Sequence, residues 1–155
     1  MLKRRAGPAA VRVWRRISEA VGDRGSESRV YLSRSRFHAG NHGPGRVRTD
    51  EAQDARLDAV FTDAGFRVVH PETLPITEQI ELVRGVRVLA GLSGSALHLS
   101  AFAEPGTRVL TVEDRRALGK PMPAQTMVDE ACGHHSMFVR SDDDGLARTL
   151  AGLDE

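Results

Sequence analysis

Residues 88–102 read VLAGLSGSALHLSAF, and the folding of this stretch decides the architecture. Val88, Leu89 and Ala90 form a short apolar run within a strand expected over 86–90, as suits a strand buried on both faces. Gly91, Leu92, Ser93 and Gly94 then read as a turn, and 95–103 reads as a helix. Strand, glycine-bearing turn and helix is the junction at which open α/β sheets meet ligands. Taken alone, the turn has two readings. It is a structural turn, or it is an anion cradle in which Gly94, Ser95 and Ala96 present backbone N–H groups and Ser93 and Ser95 add hydroxyls. It carries neither the G-x-G-x-x-G fingerprint nor a P-loop lysine.

Working outward, strands and helices alternate. Segment 29–33 (RVYLS) reads as a strand and 34–48 as a loop rich in Gly, His and Arg. Segment 49–64 reads as a helix closed by Gly65, and 66–69 as a strand ended by Pro71. Thr77 is placed to cap a helix running to Arg84, and 86–90 is the strand that opens the quoted stretch. A strand at 108–112, a helix near 124–131, a strand at 136–139 and a helix at 144–153 complete the series, with Asp142, Asp143 and Asp144 capping the last helix. Short apolar strands separated by helices predict a Rossmann-like, three-layer α/β domain with a mainly parallel sheet. Residues 1–28 are set apart as a basic N-terminal helix and linker, and 29–155 as the domain proper. In that first helix, opened by Pro8, the residues Val11, Trp14, Ile17 and Val21 form the expected apolar stripe.

The chain has 155 residues and a net charge of +1. That length suits one domain. The charge gives no global electrostatic case for nucleic acid. Cys132 is the single cysteine, which excludes an intrachain disulfide and a cysteine-based metal site. No run approaches the roughly 18 apolar residues of a membrane span. A secretory signal is not expected, so the expected location is cytoplasmic.

Three loops at strand carboxyl ends are candidates for chemistry: those after Ser33, Ala90 and Val112. The first is long and carries Arg34, Arg36, Arg46 and Arg48, whose planar forks suit phosphate, with His38 and His42. Those histidines have no nearby Cys, Asp or Glu to complete a metal-ligand set and read as solvated. Cys132, His134 and His135 lack the second spaced pair that a metal site needs. A G-x-S-x-G elbow is missed by one residue at 91–94, so a hydrolase using Ser93 or Ser95 is the weakest reading.

Taken in order, these pieces resemble glycosyltransferase family 61, the group that includes capsular-polysaccharide-type enzymes. The resemblance rests on YLSR at 31–34, RVRTDE at 46–51 and GFRVV at 65–69. It continues through Pro71-Glu72, Leu74, Glu78-Gln79, GLSGSAL at 91–97, Ala101-Phe102 and PGTRVLTVE at 105–113. Two positions depart from the pattern: Asp50 stands where the family usually has Asn, and Ser93 where many members have His.

The resemblance implies the C-terminal, nucleotide-sugar-binding half of a GT-B enzyme and inverting glycosyl transfer in polysaccharide or glycan synthesis. It implies that Arg34 and Arg46 contact the donor diphosphate and that Glu51 braces the Arg loop or the helix start. It places the phosphate on Gly94, Ser95 and Ala96, beside Ser93, and lets Glu113 reach the nucleoside. No metal or other cofactor is expected beyond the nucleotide-sugar substrate. His38, His42 and His98 are the candidate bases. An acceptor domain does not fit in the residues before 29. The chain is therefore expected to be a fragment of a longer enzyme, or to take its acceptor side from a second copy or a separate partner. The alternative reading is a non-catalytic nucleotide-binding or assembly module.

Overall fold

The computed structural model describes residues 6–22, 28–38, 50–114 and 119–153. Arg46, Arg48 and His42 lie outside the described residues, as does the side chain of His38. In chain order the elements are α1 (Pro8–Val21), β1 (Arg29–Leu32), α2 (Ser35–His38), α3 (Glu51–Asp63), β2 (Arg67–Val69) and α4 (Ile76–Arg84). Next come β3 (Val88–Leu92), β4 (Arg108–Val112), α5 (Pro123–Cys132), β5 (His135–Val139) and α6 (Asp143–Ala151). Two 3-10 helices, Pro71–Thr73 and Ser95–Phe102, precede α4 and follow β3 respectively.

The five strands form one sheet in the order β2-β1-β3-β4-β5, and every pairing is parallel. The expected α/β fold is therefore present, with a wholly parallel sheet. Alternation along the strands divides the core. Tyr31, Val88, Ala90, Leu92, Leu110 and Val112 pack on one face against Leu57 and Phe61 of α3 and Leu146 and Leu150 of α6. Val30, Leu32, Leu89 and Val109 pack on the other against Val83 of α4 and Leu97 and Leu99 of the Ser95–Phe102 helix. Both faces of each inner strand are thus covered, which is why the strands are almost continuously apolar.

Several expectations shift by a residue or two, for local physical reasons. Helix α3 starts at Glu51 because Asp50 caps it, accepting from the Gln53 N–H at 2.7 Å. Helix α4 starts at Ile76 with Pro75 in the cap position and no side-chain cap. Thr77 therefore lies inside the first turn and does not cap it.

Strand β3 runs two residues further than expected, and Gly91 and Leu92 pair with Thr111 and Val112 of β4. Gly91 belongs to the sheet and not to a turn. A Cβ there would sit 3.3 Å from Leu97 Cδ1 and 3.5 Å from Leu32 Cβ. The glycine thus lets the following helix fold tightly back over the strand. That helix is 3-10 and not α. Leu97, Leu99, Ser100 and Ala101 are all buried, so no single stripe of 3.6-residue spacing is imposed on it.

Helix α1 also departs from expectation. Its inward face runs through Trp14 and Ser18, while Val13 and Ile17 are exposed. Trp14 packs on a small cluster of Ala101, Val128 and Cys132, so α1 lies over α4, α5 and the Ser95–Phe102 helix.

Candidate functional site

The strand order reverses direction between β1 and β3: the chain goes from β1 outward to β2, then returns past β1 to β3. The segments leaving these two neighbours go to opposite faces. After β1 the chain reaches α3 on one face, and after β3 it enters the Ser95–Phe102 helix on the other. Such a switch point leaves an open crevice at the strand carboxyl ends. A crevice of about 520 Å³ lies there, within the size range of small-ligand sites.

Its polar end is formed by Ser33 and Arg34 from the end of β1 and by Ser95 and Ala96 from the end of β3. The opposite wall is Pro71, Glu72, Ile76 and Gln79, and the remaining lining is His98, Leu99 and Phe102. Gln79 shapes that wall. Its Nε2 donates to the carbonyl oxygens of Pro71 and Leu74, each at 2.9 Å. Ser33 shapes the other side: its N–H donates to the Val69 carbonyl at 2.8 Å, and its Oγ accepts from the Ser35 N–H at 3.1 Å.

Arg34 also acts on a buried phenol beside α3. Asp54, buried, and Asp58, one turn further along, lie within electrostatic range of the Tyr31 hydroxyl. Burial pushes this phenol far above its ordinary range, Asp58 and Asp54 push it further, and Arg34 and Arg56 act against them. Arg34 thus both lines the crevice and acts electrostatically on the buried Tyr31 phenol.

The other residues singled out from sequence are placed differently. Ser93 is fully buried, and its N–H donates to the Val112 carbonyl at 2.9 Å. It extends the sheet and is not among the lining residues. Gly94 is also buried, directly before the lining pair Ser95 and Ala96. Glu113 is buried at the end of β4, and its Oε1 accepts from the Gly119 N–H. Glu51 is exposed in the first turn of α3. Arg34, Ser95, Ala96 and the candidate base His98 are thus the sequence candidates that share the crevice wall, while Arg46 lies outside the described residues.

Behind His98 is a polar network buried between the Ser95–Phe102 helix, α5 and β5. The His98 Nδ1 lies 2.8 Å from Gln125 Oε1. Gln125 Nε2 donates to Ser100 Oγ at 3.0 Å and to Asp129 Oδ1 at 2.8 Å. Asp129 also accepts from Ser136 Oγ at 2.7 Å. Gln125, Ser100 and Asp129 are almost wholly enclosed. From sequence alone, α5 reads only as a helix. The available signal was the i, i+4 spacing of Gln125 and Asp129, which puts both on one face.

The family model described as Glycosyltransferase 61 matches residues 2–110 of this chain, well over half of its 155 residues. The chain belongs to glycosyltransferase family 61. No curated protein matches it. The family-61 match spans α1, the whole β1–α3–β2–α4–β3 unit and most of β4. It therefore includes every described residue of the crevice wall. Helix α5, with Gln125 and Asp129, lies beyond the matched stretch. Asp50, which stands where the family pattern has Asn, is the α3 cap. Asn and Asp serve that role about equally, so this departure from the pattern leaves the helix start intact. Among the described residues, no helix is long and apolar enough to cross a membrane.

Proposed function

We propose that this family-61 chain binds a nucleotide-sugar donor at the β1/β3 crevice and serves inverting glycosyl transfer in glycan or polysaccharide synthesis. One observation carries the reading: Arg34 from the end of β1 and Ser95 and Ala96 from the end of β3 line the same crevice at the topological switch point. In this reading the donor diphosphate lies between the Arg34 guanidinium and the backbone N–H groups that open the Ser95–Phe102 helix. A planar cation and convergent N–H donors stabilise a diphosphate and, more strongly, the charge that builds on it as it departs. The apolar side of the crevice, with Ile76, Leu99 and Phe102, takes the less polar parts of the donor.

In the GT-B arrangement that the resemblance implies, an acceptor hydroxyl attacks the anomeric carbon from the face opposite the diphosphate. The nucleoside diphosphate leaves and the configuration inverts. Titration calorimetry of the full chain with uridine, guanosine and cytidine diphosphates and their sugar conjugates tests the binding. Saturable heat with at least one of them is expected. The absence of heat from all of them at millimolar concentration would remove the proposal.

A further inference from the structure

We propose that His98 is the proton acceptor of this crevice, held in its Nδ1–H tautomer by Gln125 and Asp129; this rests on the donor-binding reading above. The Asp129 carboxylate accepts from Gln125 Nε2, Ser100 Oγ and Ser136 Oγ. An aspartate carboxylate only accepts and has no hydrogen of its own to offer. The amide of Gln125 must therefore turn its NH₂ toward Asp129, and both of its hydrogens are used, on Asp129 and on Ser100. Its Oε1 is left facing His98 Nδ1 at 2.8 Å. An amide oxygen only accepts, so the imidazole must donate there, which fixes the hydrogen on Nδ1.

In the neutral ring this leaves Nε2 with its lone pair, on a side chain that lines the same crevice as Arg34 and Ser95. A buried carboxylate, a relaying group and an imidazole with one nitrogen committed form the arrangement by which a base is oriented. His98 lies five positions after Ser93. Ser93 itself, being buried in the sheet, brings no side chain to the crevice. The attacking hydroxyl passes its hydrogen to His98 Nε2 while its oxygen bonds to the anomeric carbon. The bond from that carbon to the phosphate oxygen breaks, and its electron pair leaves with the nucleoside diphosphate. His98 touches the attacking hydroxyl, whereas Gln125 and Asp129 are positioning residues.

The test uses the full chain, with water as the attacking hydroxyl, so that no acceptor need be known. Ring-nitrogen NMR reads the His98 tautomer, calorimetry reads donor binding, and donor hydrolysis reads turnover. The wild-type ring is expected to carry hydrogen on Nδ1 and none on Nε2. His98→Gln is expected to bind donor within about threefold of wild type and to hydrolyse it about a hundredfold or more slowly. Gln125→Met, which keeps the volume but offers no acceptor, is expected to give mixed His98 tautomers and to lower kcat with KM little changed. A wild-type ring protonated on Nε2, or a His98→Gln chain hydrolysing donor at the wild-type rate, would overturn the assignment while the donor site stands. A chain that binds donor but does not hydrolyse it overturns the assignment as well. A chain that binds no donor removes both.

Discussion

The Ser18 hydroxyl of α1 donates to the Phe102 carbonyl at 2.8 Å, joining the N-terminal helix to the last residue of the helix that walls the crevice. Phe102 lines the crevice from within that helix, so α1 supports the site from behind. Ser18 is buried, and a carbonyl left there without its donor is costly. Ser18→Ala is expected to lower stability by about 1 kcal/mol, seen as a fall in the denaturation midpoint with an unchanged m value. An unchanged midpoint would mean that α1 is only loosely attached.

Gly91 tests the close packing of the 3-10 helix on β3. A methyl group there meets Leu97 Cδ1 at 3.3 Å and Leu32 Cβ at 3.5 Å. Gly91→Ala is expected to cost about 1–3 kcal/mol through overpacking, measured by chemical denaturation. A neutral or stabilising result would contradict the tight approach.

Asp50 separates a capping role from a charge role. Because its side chain accepts from the Gln53 N–H, Asp50→Asn is expected to be nearly neutral, and Asp50→Ala to cost about 0.5–2 kcal/mol. Equal losses for both variants in a thermal melt would show that the charge, and not the cap, is what matters.

His134 gives a signed pH dependence. Its Nε2 donates to the Ser100 carbonyl at 2.8 Å. Burial lowers its pKa below 6.5, against the opposing effects of that bond and of Asp129, while His135 adds to the lowering. The unfolded chain therefore takes up this proton more readily than the folded one. The stability linked to His134 is complete above the unfolded value of about 6.5 and is lost as pH falls through the lower folded value. His134→Gln, which keeps a donor for Ser100, is expected to flatten the stability profile below neutral pH. A mutant profile as steep as wild type would assign that slope to other groups.

Much of this molecule is legible in its sequence because its information is local. The alternation of short apolar runs with helical spacing gives the parallel sheet, and the Asp run at 142–144 marks where α6 begins. What escaped is set by tertiary contact. Gly91 looks like a turn glycine until Leu97 and Leu32 are seen against it. Ile17 fits an apolar stripe, yet Ser18 takes the inward position because the Phe102 carbonyl needs a donor. At the site, the sequence offered Arg34, Ser95 and Ala96 through their strand-end positions. Their meeting at one crevice depends on the order in which β1 and β3 pair. Gln125 and Asp129 carry no local signal beyond their spacing, because their meaning depends on Ser100 and His98, about 25 or more residues away in sequence.

Arg34 is expected to contribute most of the affinity for the diphosphate. Arg34→Ala is expected to weaken nucleoside diphosphate binding by about tenfold or more, and Arg34→Lys by less, since a point charge replaces a planar fork. The most direct test is a crystal structure of the chain with a bound nucleoside diphosphate. A diphosphate touching both the Arg34 guanidinium and the backbone N–H groups at Ser95 and Ala96 is the predicted result. A diphosphate bound elsewhere, with the β1/β3 crevice empty, would contradict the account.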